Sequence, residues 1–437
     1  SEELLGALAR IDGLRVIARE STALATAEST DLRRLTQRLG VTHVVEGSVH
    51  RAGAQLRVTL RLVETASGQT RWAREYDRNF GDFLAMEREV AQSVSAALSL
   101  QFEPRPAPAT PMDPERFRRY LQARALLRAG PSGAAQATTL FRALVAEDPS
   151  DARAHEGLAS ALYDRGFGSY QVVALRDEAL SEGRRALALD PMLADPYAIL
   201  SEPACRTARW DECLGLLAKA VRMSPADSHW RSVYAWRLGT LGYLSQAREQ
   251  LVLALAADPL APTPNYMMGI TLDALGDHAG ARPYIVRGAA PGNATLWFNA
   301  VWRHDYADAM RLARSYGDAR WRPAYVAVTA ALQDPRGWPA ARAAIEASEQ
   351  ASAPWHNWTR VLLPDPDISG DIALLENVWK LGYSAVSTYL WAPELANHRR
   401  DPAFQAYLRR NHLIDYWRVH GWPDRCRPGP GDAVACD

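Results

Sequence analysis

The cleanest alternation in the chain lies at residues 55–62. Leu56, Val58, Leu60 and Leu62 fall on one side, and Gln55, Arg57, Thr59 and Arg61 on the other. A period of two with one apolar and one polar face predicts a strand of an antiparallel sheet, half buried and half wet. Valine-rich residues 42–50, closed by Arg51-Ala52-Gly53, predict a strand before it. Residues 69–76, after the turn Ala66-Ser67-Gly68, predict one behind it, with Trp72 and Tyr76 sharing a face. Around these strands the period is helical. Leu4, Leu5 and Leu8 predict an opening helix, and residues 14–19 an extended run. Leu32, Leu35 and Leu39 share a helical face, with Thr30 or Asp31 as cap and Gly40 as stop. Phe83, Met86, Val90, Val94 and Ala97 predict a helix across the sheet's apolar side. Residues 1–103 are therefore expected to form an α/β module, an antiparallel or mixed sheet with helices.

Pro104, Pro106, Pro108, Pro111 and Pro114 crowd residues 104–114. Fixed φ angles at that density favour an extended linker over a helix and mark a domain boundary. Beyond it, prolines close one segment after another: Asp148-Pro149, Asp190-Pro191, Ser224-Pro225 and Asp258-Pro259, at intervals of 42, 34 and 34 residues. A period of 34 is that of the two-helix tetratricopeptide unit. Small residues recur at matching offsets: Ser201, Ala208, Cys213 and Ala220; Ala235, Gly242, Ala247 and Ala254; Gly269, Gly276, Ala281 and Gly288. Two helices approach closely only where such side chains meet. An earlier unit, closed by Pro149, carries Ala125 and Ala137, and the longer interval places an enlarged loop near residues 165–175. Residues 115–291 thus predict five repeats, enough to propagate an all-α solenoid. First helices would line its inner surface, which makes Glu202, His229, Trp236, Tyr266 and Asp273 candidate groove residues for a peptide. Ordinary packing between repeats competes with that role for each aromatic.

Past Pro291 the beat fades. Residues 297–313, 322–332, 339–350 and 372–381 keep a helical pattern, while 354–358 and 363–370 read as loops. Tryptophans are dense here: Trp297, Trp302, Trp321, Trp338, Trp355, Trp358, Trp379 and Trp391. Degenerate repeats over residues 292–390, repacked with bulky side chains, explain them more plainly than an aromatic cage. Residues 391–437 read as a carboxy-terminal cap on the solenoid, which otherwise exposes an apolar face.

The run Leu39-Gly40-Val41-Thr42-His43-Val44-Val45-Glu46-Gly47-Ser48-Val49, then Thr70-Arg71-Trp72-Ala73-Arg74-Glu75-Tyr76-Asp77-Arg78, resembles the TolB-amino-terminal-like (FlgO-like) domain. That domain is often followed by tetratricopeptide repeats. The pair occurs in membrane-anchored transcriptional regulators of the CadC/ToxR type and in some bacterial class III adenylate cyclases. The carboxy-terminal stretch from Arg399 through Cys426 resembles the terminus common in the regulators. The resemblance implies a first strand ahead of the segment matching residues 1–9, which these residues lack. It also implies a membrane helix and an output domain, a winged helix or a cyclase, outside these residues. The opening Ser1-Glu2-Glu3-Leu4-Leu5, without an initiator Met, reads as a fragment or processed form.

Composition narrows the function. With 50 basic and 50 acidic residues the formal charge is zero, so the chain as a whole carries no electrostatic footprint for nucleic acid. The basic side is nearly all arginine, with Lys219 and Lys380 the exceptions. No apolar run approaches the ~18 residues of a membrane span, and the start shows no signal peptide. Cys205 with Cys213 and Cys426 with Cys436 form two local pairs, which fits two disulfides and an oxidising compartment. Metal binding fits less well without Cys-x-x-Cys spacing, and four free thiols remain the alternative. Cys205 and Cys213 fall on the two helices of one repeat, across its turn, with Pro203 expected to kink the first.

Glu46, flanked by His43 and His50, is weighed as a pH-responsive group, but a strand-end carboxylate with two exposed histidines is preferred. No Gly-x-Ser-x-Gly, His-Glu-x-x-His or phosphate-loop spacing occurs, so no catalytic residue, cofactor or metal is expected. The expected function is non-enzymatic. It is the periplasmic sensory and interaction region of a membrane-anchored transcriptional regulator, answering to a protein or peptide partner, a small signal molecule or pH, with a homodimer among the expected partnerships. The alternatives are a regulatory region of a class III adenylate cyclase and a free-standing scaffold for envelope assembly.

Overall fold

A computed structural model describes residues 8, 11, 14–28, 32–52, 55–79, 83–98, 100, 113–128, 131–167, 173–289, 294–351, 386–429 and 433–437. They fall into two compact units. The first comprises residues 1–200, 219–228 and 256–260, and the second 201–218, 229–255 and 261–437.

In the first unit, helices α1 (Arg19–Glu28) and α2 (Leu32–Leu39) precede strands β1 (His43–Ala52), β2 (Gln55–Glu64) and β3 (Thr70–Asn79). The strands form one antiparallel sheet in the order β1-β2-β3, with Val58 opposite Val49 on one side and Tyr76 on the other. Leu56, Val58 and Leu62 are buried while Gln55, Arg57, Thr59 and Arg61 are exposed, as the alternation requires. Cross-strand ion pairs hold the wet face, Arg61 with Glu46 at 2.6 Å and Arg57 with Asp77 at 2.9 Å. Helix α3 (Phe83–Ala97) packs on β3 and buries Met86, Val90 and Val94.

The extended run at 14–18 joins no strand of this sheet. Its Ala18 amide donates instead to the carbonyl of Ala257 at 2.7 Å. It leads into α1, whose sequence, rich in Ser, Thr and Ala, carries no apolar stripe and so escaped the helical reading. Ile17, Ala25 and Leu39 close a small core to which Leu260 adds. Ser21 ties α1 to a proline beat: its amide donates to Asp258 Oδ1 at 3.0 Å, its hydroxyl donates to the same oxygen, and the Leu260 amide donates to Ser21 Oγ at 2.7 Å. Burial pushes the Asp258 carboxyl up, against the hydrogen bonds from Ser21 and Ser228.

Five consecutive helix pairs carry the beat: α4 (Pro114–Arg128) and α5 (Pro131–Glu147), α6 (Ala152–Phe167) and α7 (Val173–Leu189), α8 (Asp195–Arg206) and α9 (Trp210–Met223), α10 (Ser228–Thr240) and α11 (Leu244–Ala257), α12 (Pro262–Leu275) and α13 (His278–Gly288). The small residues are where close approach demands them. A Cβ on Gly269 would lie 2.4 Å from Ile285 Cγ1, and one on Gly288 would lie 2.2 Å from the Tyr266 backbone nitrogen. Region 297–313 is two helices, α14 (Thr295–Trp302) and α15 (Tyr306–Arg314), parted at His304 with φ 57°. With α16 (Arg322–Gln333) and α17 (Trp338–Gln350) they make two further pairs. Trp297, Trp302 and Trp321 are buried, and Trp297 Nε1 donates to Thr329 Oγ1 at 2.9 Å. They fill space between helices. The opening helix apart from Leu8, the linker up to Met112, the helix at 372–381, the two loops at 354–358 and 363–370, and Trp355, Trp358 and Trp379 lie outside the described residues.

Both expected disulfides are present. Cys205–Cys213 crosses the α8–α9 turn with Cα atoms 4.9 Å apart, and Cys426–Cys436 joins two short strands at 4.1 Å. Helix α8 runs through Pro203 and ends at Arg206. The turns obey the same period as the helices: Ala208, Gly242 and Gly276, each 34 residues from the next, take left-handed φ angles of 54°, 86° and 92°. Glycine adopts that conformation freely, whereas an L side chain costs roughly 1–2 kcal/mol there. The strained alanine sits in the turn that the first disulfide closes, a short loop whose cross-link contributes somewhat under ~3 kcal/mol on the entropic model. Ala208→Gly is expected to raise stability by about 0.5–1 kcal/mol in a denaturant titration. A loss of stability would mean that the position does not need a left-handed residue.

Candidate functional site

The carboxy-terminal segment expected to cap the stack makes hydrogen bonds to the turns of the fourth and fifth helix pairs. It comprises α18 (Val386–Tyr389), α19 (Ala396–Arg400), α20 (Pro402–Arg410), α21 (Leu413–His420) and the ribbon β4 (Cys426–Pro428) with β5 (Val434–Cys436). A helix ends with carbonyls that lack intrahelical partners, and this segment supplies donors to them. Trp391 Nε1 donates to the Thr240 carbonyl at 3.3 Å and Trp417 Nε1 to Leu241 at 3.0 Å, both at the end of α10. The Arg425 guanidinium donates to Ala274 and Leu275 at 3.1 Å, at the end of α12. Second helices meet carboxylates at their amino ends, where the dipole favours negative charge. The Ser245 amide donates to Asp424 at 3.2 Å, and Glu394 meets His278 at the start of α13.

That last contact belongs to a charge cluster in the second unit that runs from buried Asp273 to exposed Glu394. His278 Nδ1 lies 3.0 Å from Asp273 Oδ1 and Nε2 lies 2.9 Å from Glu394 Oε1. Asn299 Nδ2 donates to Asp273 Oδ1 and to the His278 carbonyl, both at 2.8 Å. Trp302 packs against His278 at 5.6 Å and against Tyr389 at 5.2 Å between ring centres. Asp273 is fully buried, and its Oδ2, like Asn299 Oδ1 and Trp302 Nε1, has no hydrogen-bond partner. Burial accordingly pushes the Asp273 carboxyl up, against its bonds to His278 and Asn299. For His278 burial pulls the imidazole down, but the bonds to Asp273 and Glu394 outweigh it and push the group up to about 9. His278 is therefore an imidazolium at neutral pH, with Asp273 and Glu394 facing its two ring nitrogens. Among the described residues no three His, Cys, Asp or Glu side chains group as metal ligands.

One of the five groove candidates, Asp273, belongs here; the Tyr266 hydroxyl lies 3.0 Å from Thr295 Oγ1. Glu202 and Trp236 meet elsewhere, through Arg237, which bonds Glu202 at 2.8 Å and stacks over Trp236 at 4.4 Å. His229 is exposed against Trp230. Asp273 and Trp236 are buried rather than set on an open surface. Glu46 is paired to Arg61 on the sheet, with His50 exposed nearby. The sequence reading missed His278, Asn299 and Glu394. A lone Asn inside Leu-Trp-Phe-Asn-Ala-Val-Trp was the available signal, since a polar side chain in so apolar a helix must find a partner. Glu394 offered none.

The raised His278 pKa has a definite consequence for stability. The folded value exceeds the ordinary ~6.5, so the contribution is complete below ~6.5 and is lost as pH rises through about 9. His278→Gln should cost about 1.5–3 kcal/mol at pH 6 and progressively less toward pH 10, measured by thermal melts. A pH-independent difference, or a His278 ring titrating at or below its ordinary value by NMR, would refute the cluster.

No family model matches the chain. It is 30% identical over 164 residues to a protein of Rhizobium meliloti (strain 1021) named putative adenylate cyclase 3, a match covering 36% of this chain and 28% of that protein. The chain thus spans under a third of that relative. Among solved structures it is similar to a tetratricopeptide protein of Thermus thermophilus, at 22% identity over 45% of this chain and 98% of the other, with a TM-score of 0.33. It is also similar to pilF of Pseudomonas aeruginosa, at 21% identity, 45% and 88% coverage and a TM-score of 0.35. A third is YrrB, described as a tetratricopeptide protein with an unusual peptide-binding site, at 18% identity, 44% and 89% coverage and a TM-score of 0.27.

Proposed function

We propose that this chain is the sensory and partner-binding region of a bacterial signalling protein, acting by association rather than by chemistry of its own. The observation that supports this most is the run of five helix pairs, the last three of which repeat at 34 residues with the left-handed turn residues Ala208, Gly242 and Gly276. Stacked helix pairs present extended surfaces that fold independently of any catalytic residue, and their specificity lies in surface detail. In the first reading the output is a winged helix of a membrane-anchored transcriptional regulator, with this region on the periplasmic side of the inner membrane. Two disulfides suit that compartment. A bound partner or signal would change dimerisation and so the distant output.

The second reading makes the output a class III adenylate cyclase, and the match to the Rhizobium meliloti protein favours it specifically. Expression of the complete gene separates the two. Restoration of cyclic AMP in a cyclase-deficient bacterium supports the cyclase, whereas promoter binding without cyclic AMP synthesis supports the regulator. Thiol titration in denaturant without reductant tests the compartment: protein isolated from its native host should show no reactive thiol, and four would contradict the periplasmic placement.

A further inference from the structure

The turn after Asp190-Pro191 borders a cleft of about 450 Å³ in the first unit, lined by Pro191, Met192, Tyr197, Lys219, Arg222 and Met223. Its wall is almost wholly apolar and it opens to solvent, with Met192 55% exposed. The turn is fixed in place, because the Met192 amide donates to Asp190 Oδ1 at 2.8 Å and the Tyr197 hydroxyl donates to the Pro191 carbonyl at 3.1 Å. Lys219 Nζ sits 3.9 Å over the Tyr197 ring. Lys219 and Arg222 are at least partly exposed, and neither pairs with a carboxylate among the described residues, unlike Arg57, Arg61 and Arg142. Arg222, in the last turn of α9, offsets the helix's negative end. That accounts for Arg222 but not for Lys219 or for the exposed Met192 held beside them. Methionine is an adaptable apolar surface, and two of them here flank a positively charged rim.

We propose that this cleft docks an acidic peptide of a partner protein. An apolar side chain would insert between Met192 and Met223 while flanking carboxylates meet Lys219 and Arg222. Charge complementarity selects this occupant: both charged residues lining the cleft are cationic, so an acidic segment gains and a basic one is repelled. The proposal rests on the reading of the chain as an interaction region and adds the place and the ligand chemistry.

The test uses a fluorescein-labelled peptide, Glu-Glu-Leu-Phe-Glu-Glu, with the whole chain. Controls replace every Glu by Lys, or Leu and Phe by Ser. The acidic apolar peptide should bind at least about tenfold more tightly than either control, and Lys219→Glu with Arg222→Glu should weaken it by a similar factor. Methyl NMR signals of Met192 and Met223 should shift on binding, while those of Met86 and Met310 stay put. Equal binding of the basic peptide, no measurable binding of the acidic one, or undiminished binding to the double variant would each overturn the proposal. In the last case, shifts confined to other methionines would leave the interaction reading standing and remove this cleft from it.

Discussion

A helix that stops leaves its last carbonyls and first amides without partners, and a stack of helix pairs repeats that difficulty at every turn. In the second unit residues 386–437 answer it turn by turn. Indole and guanidinium donors of Trp391, Trp417 and Arg425 meet the carbonyl ends of α10 and α12, the Asp424 carboxylate accepts from an amide at the amino end of α11, and Glu394 meets the His278 ring at the start of α13. The polarity is the one the helix dipole prefers at both kinds of end. The turns must be shallow for the segment to reach them. At Gly242 a Cβ would lie 3.1 Å from Pro423 and Trp391. The same residue therefore serves the left-handed turn and the close approach.

The charge cluster is a local consequence of this arrangement. Glu394 comes from the carboxy-terminal segment, Asp273 and His278 from the two helices of one pair, and Asn299 from the next helix. Four stretches of chain therefore meet around one imidazole, with Asp273 and Glu394 each raising its pKa. A buried ion cluster is weak evidence for net stability, since desolvation offsets much of the attraction, yet removing one member leaves another charge buried and unpaired. That asymmetry makes His278 a fastener whose strength depends on pH.

Much of this was legible in the chain, for identifiable reasons. The sheet was readable because Gln55 through Leu62 alternate strictly, and the pairs because prolines and small residues repeat at fixed offsets. The cysteines were readable because each pair lies close in sequence. Helix α1 was not, because its Ser, Thr and Ala residues give no apolar stripe and its place is set by Asp258, far away in sequence. Asp273 and Trp236 were assigned to a groove because helix position alone does not tell which flank a neighbouring turn will cover. Glu394 and Arg425 look like ordinary surface charges until the turns they bind are in view.

Hydrogen exchange after Trp417→Phe tests the central claim most directly, since the change deletes the indole donor and keeps an aromatic ring. Trp297→Phe, which removes a donor elsewhere in the same unit, serves as the control. If carboxy-terminal donors hold the helix ends, amides at 241–244 should lose about tenfold of their protection in the first variant and not selectively in the second. Equal protection of those amides in wild type and Trp417→Phe would contradict the account.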